Sequence, residues 1–248
     1  MKILIVSGFL GAGKTTFIKR LARNVDQRFA ILENEYGAAG IDGARLGQNR
    51  QGTQKNVWEM TEQCICCIGK KDFAASVLTI ANVVDPEYLI VEPTGVGSLA
   101  RIIENLRQIE YERIQLLSPV TIVDVYSYRR YMAEYPELYQ DQIRSADTII
   151  VSKTEACQAE EKQRIQKFLQ EINSQAKIIT DYASTMTRED YQSLLLGSRY
   201  EKKVQDTQSG EKMPETFSFE NIRMEAPETL WCFLEQIIRG AFGNIIRA

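Results

Sequence analysis

The chain has 248 residues, enough for one large α/β domain or for a nucleotide-sized domain with a smaller appendage. A hydrophobic fraction of 44% and a charged fraction of 25% are those of an ordinary globular protein, which excludes disorder as the default. A net charge of −3 lacks the basic footprint of a nucleic-acid binder, and no run of roughly 18 apolar residues occurs, so neither nucleic acid nor a membrane is expected as a partner.

The apolar run Ile3-Leu4-Ile5-Val6 reads as a core strand. It feeds Gly8-Phe9-Leu10-Gly11-Ala12-Gly13-Lys14-Thr15-Thr16, which fits the phosphate-binding pattern G-x-x-x-x-G-K-[ST] with a strand before it and an amphipathic helix, Phe17 to Ala22, after it. Glycines at 8, 11 and 13 let backbone N–H groups close on phosphate oxygens, and the helix points its positive end at the same anion. Lys14 would reach the β- and γ-phosphates, and the Thr15 hydroxyl would ligate Mg²⁺. The N-terminal lysine and apolar stretch imitate a secretion signal but run straight into Gly13-Lys14. A cytoplasmic protein is therefore expected.

Phe29-Ala30-Ile31-Leu32 reads as a buried strand that delivers Glu33-Asn34-Glu35-Tyr36-Gly37 to its C-terminal end, the edge where open α/β sheets bind ligands. Ala38 to Thr53 reads as a glycine-rich loop, and Val57 to Met60 as a short strand leading into Cys64-Ile65-Cys66-Cys67. A helix follows on Phe73, Val77, Leu78, Ala81 and Val84. The strand Tyr88 to Val91 then ends in the polar turn Glu92-Pro93-Thr94-Gly95. Leu99 to Leu106 gives another helix face and Val120 to Asp124 another strand. Asp124 itself reads as a turn cap or as a nucleotide contact. Gln142 to Asp147 is read as a connector before the strand Thr148 to Val151 and its turn Ser152-Lys153-Thr154-Glu155. A helix over Ile165 to Ile172 and a strand over Lys177 to Thr180 follow. This alternation implies a mostly parallel sheet covered by helices on both faces.

From Gly197 to Glu215 the composition turns polar, a linker or long loop. Phe217 to Ile222 then reads as a strand, Pro227 to Ile238 as a helix in which Cys232 packs inward, and Asn244 to Ala248 as a further strand. The expected organisation is a P-loop NTPase domain over 1–183, a polar linker over 184–215 and a short C-terminal βαβ-like fragment over 216–248.

Five cysteines, three of them within four positions, do not make a secreted disulfide framework, and the chain has no histidine. Thiolates at 64, 66 and 67 favour Zn²⁺, Cu(I) or, less selectively, Co²⁺ and Ni²⁺. A carboxylate from Glu33 or Glu35, or a water, would complete a tetrahedron. A redox pair and inert packing are the competing readings of these sulfurs.

Taken together in this order, the phosphate loop, Glu33-Asn34-Glu35-Tyr36-Gly37, the C-x-C-C element and Glu92-Pro93-Thr94-Gly95 resemble the CobW-like GTPases, relatives of the nickel-insertion proteins HypB and UreG. The resemblance covers Met1 to about Tyr182. It implies a GTP-hydrolysing domain that binds a transition metal at Cys64, Cys66 and Cys67 with Glu33 as the fourth ligand, and that hands the metal to a client metalloprotein. It also implies that Glu92 links Mg²⁺, water and the γ-phosphate, that Gly95 brings its N–H to that phosphate, and that Ser152, Lys153 and Glu155 stand where the family reads guanine. A homodimer around the nucleotide is left open.

The chain departs from the family at several points. Ser152-Lys153-Thr154-Glu155 replaces the usual Asn-Lys-x-Asp, Ala38 replaces a common acidic residue, there is no histidine-rich tract, and Phe217 to Ala248 resembles only the opening of the family's second domain. A serine lacks an amide's paired donor and acceptor, so a preference for GTP over ATP with reduced discrimination is expected. Since Glu33 to Glu35 and the cysteines lie between the phosphate loop and Glu92, metal affinity is expected to differ between GTP and GDP states. A small-molecule or nucleotide kinase on the same loop, and a non-enzymatic metal buffer, are the alternative functions.

Overall fold

The protein's structure is a computed structural model that describes residues 1–27, 29–35, 59–63, 70–197, 199–201 and 226–239. The chain divides into two compact units, Met1–Pro214 and Glu215–Ala248.

In the first unit the strands are β1 (Lys2–Gly8), β2 (Phe29–Glu35), β3 (Glu59–Gln63), β4 (Tyr88–Glu92), β5 (Gln115–Leu116), β6 (Val120–Asp124), β7 (Thr148–Ser152) and β8 (Lys177–Ile179). They form one sheet in the order β3-β2-β4-β1-β6-β7-β8, with β5 beside β1, and every pair of these strands is parallel. Helices α1 (Lys14–Asn24), α2 (Lys70–Val83), α3 (Leu99–Arg107), α4 (Tyr128–Glu134), α5 (Pro136–Arg144), α6 (Ala159–Ile172), α7 (Tyr182–Thr185) and α8 (Arg188–Leu196) connect and cover it. The expected α/β architecture is the one observed.

Continuous apolar strands make sense here because successive side chains serve two cores. Ile3, Ile5, Leu89 and Val91 pack with Val77 and Ile80 of α2 and with Leu99, Ile102, Ile103 and Leu106 of α3. On the opposite face Leu4, Val6, Ile31 and Ile90 pack with Phe17, Ile18 and Leu21 of α1 and with Tyr191 and Leu195 of α8. A parallel sheet brings all strand C-termini to one edge, and the phosphate loop, Glu33, Glu92, Asp124 and Ser152 all arrive there.

The structure differs from the sequence reading at several points. Strand β3 is the polar Glu59–Gln63, paired with β2 from Ile31↔Glu59 to Glu35↔Gln63, and runs past Met60, where the sequence reading ends it; Val57 and Trp58 lie outside the described residues. Among the described strands it pairs with β2 alone, and those ladder hydrogen bonds define it. Gln142 to Arg144 belong to α5, not to a connector: Pro136 stands in its first turn and Leu138, Tyr139 and Ile143 are buried. Asp141 and Gln142 are polar yet 3% and 1% exposed, because they bind a loop described below.

The stretch expected to open the linker contains packed structure in α8 and again at Tyr200. Thr187 and Asp190 form a capping box that starts α8, whose Tyr191 and Leu195 are buried. Tyr200 is 3% exposed, its N–H donating to Leu116 O at 2.9 Å and its hydroxyl to Ser145 O at 3.2 Å.

The second unit contains α9 (Pro227–Ile238) with Pro227 in its first turn. Cys232 is exposed, as are Leu230, Trp231 and Phe233, which corrects the inward-packing expectation for that thiol. The strand-like stretches 217–222 and 244–248 lie outside the described residues. Among the described residues no helix is long and apolar enough to cross a membrane.

Candidate functional site

The phosphate loop leaves β1 through three glycines with positive φ, Gly8 at 142°, Gly11 at 69° and Gly13 at 99°. At Gly8 the demand is also steric, since a Cβ would lie 2.4 Å from Ile122 O. Gly13, left-handed, is the N-cap of α1; among the described residues no side chain caps the helix, and no acidic residue stands in its first turn. Its first N–H groups therefore face the loop's concavity, the arrangement that suits a phosphate. Lys14 is 8% exposed and holds its ammonium within the loop, Nζ donating to Gly8 O at 3.1 Å and Phe9 O at 3.4 Å. Ala12 is buried and Thr16 exposed.

The Thr15 hydroxyl donates to Glu92 at the end of β4, 2.9 Å from Oε1 and 3.2 Å from Oε2. Glu92 is 9% exposed, and directly across in register on β2 stands Glu33, 3% exposed. Neighbouring strands run about 4.8 Å apart, so two largely buried carboxylates end side by side next to a hydroxyl. Such hard oxygen donors suit a divalent cation such as Mg²⁺, which would offset the cost of keeping both charges from water.

Gly95 lies directly on the phosphate loop. A Cβ there would meet Leu10 N at 2.4 Å and Leu10 Cα and Phe9 C at 2.8 Å, all backbone. The turn that carries Gly95 is fastened from behind by α5. Gln142 Nε2 donates to Gly95 O and Gly97 O, both at 3.0 Å. Asp141 Oδ2 accepts from Leu99 N at 2.7 Å and Ala100 N at 3.3 Å at the start of α3. Burial pushes the Asp141 carboxyl above its ordinary range, against the hydrogen bonds from Ala100, Ser98 and Leu99 that oppose the shift.

At the end of β7, the Ser152 hydroxyl is buried and donates to Ala12 O at 2.6 Å. Lys153 has a left-handed backbone, φ 61°, and its Nζ pairs with Asp124 Oδ2 at 2.7 Å. Asp124 also accepts from Tyr126 N at 2.9 Å and from the Ser127 hydroxyl at 2.8 Å, so it caps its turn and orients Lys153. Glu155 is exposed and borders a cleft of about 520 Å³ lined by Thr154, Lys162, Asp181, Ala183, Ser184 and Thr185. The cleft's far wall is tied to α1, where Arg20 lies over the Tyr182 ring and donates to Ala183 O at 3.2 Å. Lys162 donates to Asp181 at 2.6 Å and thereby holds that carboxyl below its ordinary range.

Phosphate loop, Thr15, Glu92, Glu33 and Gly95 thus meet at one point of the sheet edge, with Ser152 bonded to the same loop and Lys153 and Glu155 on the β7 side. Cys64, Cys66 and Cys67 lie outside the described residues; Gln63, which precedes them, ends β3 opposite Glu35. Sequence reasoning missed Asp141, Gln142, Arg20 and Asp181. For Asp181 a signal existed in its place just past a parallel strand's C-terminus.

The nucleotide-binding domain of the CobW/HypB/UreG proteins matches residues 2–180. The zinc chaperone YeiR of Escherichia coli is 30% identical over 178 residues, covering 71% of this chain and 53% of YeiR. The zinc chaperone CobW of Pseudomonas aeruginosa is 27% identical over 209 residues, 72% and 56% of the two chains. The chain therefore spans about half the length of these curated relatives. Among solved structures, Zn(II)-bound YjiA GTPase from E. coli superposes with a TM-score of 0.58 at 18% identity, covering 98% of this chain and 79% of that one. HypB from Helicobacter pylori in complex with nickel gives 0.51 at 18% identity, covering 78% and 81%. At such identities the likeness establishes the fold, whereas the domain match over most of the chain establishes descent: this protein belongs to the CobW/HypB/UreG family of P-loop GTPases.

Proposed function

We propose that this chain is the nucleotide-driven part of a cytoplasmic metal chaperone, which hydrolyses GTP and couples the nucleotide state to its hold on a transition metal destined for a client metalloprotein. Zinc is the first choice of metal, with Co²⁺ and Ni²⁺ behind it, because the relatives above are named zinc chaperones and thiolates favour it. The observation that carries the reading is the Thr15 to Glu92 hydrogen bond with Glu33 as Glu92's register partner. One carboxylate stands at the phosphate loop and the next stands beside it on the adjacent strand, whose other neighbour, β3, ends at Gln63, one residue before the cysteine motif in sequence.

Hydrolysis needs an in-line water and compensation for charge spreading over the γ-phosphate, more than covalent help. Backbone N–H groups from Gly8 to Thr16 would bind the phosphates, with Lys14 extending its ammonium to them. Thr15 and Glu92 would hold Mg²⁺, which when bound neutralises phosphate charge. Glu92 would in addition orient the water, and Gly95 would present its N–H to the γ-phosphate. Glu155 would accept from the N1–H and exocyclic amine of guanine beside the cleft, a donor pair that adenine lacks. The Ser152 hydroxyl is already committed to Ala12 O, so its task is to join this end of the site to the phosphate loop. GTP is thus preferred over ATP, but with a weaker fork than the usual Asn-Lys-x-Asp.

Cys64, Cys66 and Cys67, with Glu33, would hold the cargo ion. Loss of the γ-phosphate would release Gly95 and the Glu92 neighbourhood, and through Glu33 the ion. The test is a titration with Zn²⁺, Co²⁺ and Ni²⁺ in the presence of Mg²⁺ with GTP analogue or GDP. Different metal dissociation constants in the two states are expected, with the reciprocal effect on nucleotide. Equal constants remove the coupling, equal competition by ATP removes the guanine preference, and phosphate appearing on an acceptor makes the chain a kinase.

A further inference from the structure

The structure assigns a positioning role in GTP hydrolysis to Gln142, which clamps the turn that would sense the γ-phosphate through its two carbonyls, Gly95 O and Gly97 O. This rests on the nucleotide reading above and adds a residue to it.

Helix α5 touches both halves of the triphosphate site. Behind the phosphate loop, the Phe9 ring packs against Tyr131, Tyr135 and Tyr139 with centroids 4.2, 5.5 and 5.9 Å apart, and the Tyr131 hydroxyl donates to Leu10 O at 3.2 Å. These rings come from α4, from the residue between the helices, and from α5. Behind the Gly95 turn, Gln142 donates twice and Asp141 accepts twice. The α4–α5 pair therefore sets the spacing between the loop that binds phosphate and the turn whose N–H approaches it. Gly95 sits so close to Leu10 that this spacing has no slack.

Gln142 is itself anchored: its own carbonyl accepts from the Thr121 hydroxyl at 2.9 Å, fixing it to β6. Its amide is assigned unambiguously, since both contacts are carbonyls and only the NH₂ end can donate. The amide oxygen, buried, has no partner among the described residues, so the two loop carbonyls are what orient the side chain. If the turn withdraws after γ-phosphate loss, both donors are left unpaired in a buried site. That penalty favours return to the closed turn and primes the site for the next triphosphate. A carbonyl fixed on one side of the Gly95–Val96 peptide fixes the plane of the turn, and with it the aim of the neighbouring N–H groups.

The experiment uses the full chain with Gln142→Met, which keeps length and removes the donors, and Gln142→Asn, whose shorter amide reaches at most one carbonyl. Dissociation constants for GDP and for a non-hydrolysable GTP analogue are measured together with kcat and KM for GTP. Gln142→Met is expected to weaken the analogue about tenfold while GDP stays within about twofold, to lower kcat at least tenfold, and Gln142→Asn is expected to fall between. A purely structural role would weaken both nucleotides together, and that result, or an unchanged analogue-to-GDP ratio with normal kcat, overturns the inference while leaving the GTPase reading standing. If Gln142→Met does not fold, Gln142→Asn is read by the same two ratios. Wild-type chain that binds neither nucleotide overturns the nucleotide reading and the inference with it.

Discussion

Replacing Gly95 with alanine isolates the approach of its turn to the phosphate loop. The added Cβ would sit 2.4 Å from Leu10 N and 2.8 Å from both Leu10 Cα and Phe9 C. Ordinary contact begins near 3.4 Å, so the turn and the phosphate loop must part by about 1 Å, and neither side offers a flexible side chain to give way. Gln142 holds the turn from the other side through Gly95 O, so the displacement falls on the hydrogen-bonded peptide itself. A misplacement of about 1 Å at a reacting group costs on the order of 100-fold in rate, or about 2.7 kcal/mol of transition-state stabilisation. Overpacking would also lower stability by about 1–3 kcal/mol. Phosphate release under saturating Mg²⁺·GTP should therefore fall about 100-fold, while GDP binding, which needs no γ-phosphate contact, stays near wild type. An alanine variant with wild-type kcat and wild-type affinity for a GTP analogue would show that the turn does not contact the γ-phosphate, and the proposed hydrolytic geometry would have to be abandoned.

Glu92→Gln keeps the hydrogen bond from Thr15 but removes the charge, and single-turnover hydrolysis should slow by about 10²- to 10³-fold with a raised Mg²⁺ requirement; a rate unchanged within twofold contradicts the role. Ser152→Ala strands the buried Ala12 carbonyl and should cost about 1–3 kcal/mol in urea unfolding, with weaker binding of GTP and GDP alike. The Lys162–Asp181 pair makes a pH test: Lys162 lowers the native carboxyl below its ordinary 3.8, so the stability it contributes is present above that value and is lost as pH falls through the native one. The stability gap between wild type and Lys162→Met should hold steady from neutral to about pH 5 and close below 3.8; a gap that widens in acid would reverse the sign.

The parts of the fold that were legible in the sequence are those whose cause is local. Ile3 to Val6 and Tyr88 to Val91 announce core strands by composition, and the glycines around Lys14 announce their turn by spacing. The site residues that escaped owe their places to distant partners. Gln142 reads as the start of a polar connector, and Asp141 draws no notice, because the N–H groups and carbonyls they bind lie more than 40 positions upstream. The extension of β3 from Met60 to Gln63 escaped because a polar strand leaves its mark in ladder hydrogen bonds to β2 and not in side-chain apolarity. Lys162 reaches Asp181, and Arg20 reaches Ala183, only because β8 returns beside β7 and its following turn lies on α1. At Asp141 and Gln142 residue type reported solubility while topology decided burial.

The bond from the Ser152 hydroxyl to Ala12 O makes the site a ruler. It pins the end of the molecule that would face the purine to the end that would face the phosphates, at a main-chain atom no substitution at position 12 can remove. The span between them is therefore a property of the protein and not of whatever binds. Under the proposed reading, the ribose is measured as strictly as the base: a nucleotide with its sugar replaced by a shorter or longer spacer could satisfy one end of this pocket only by surrendering the other.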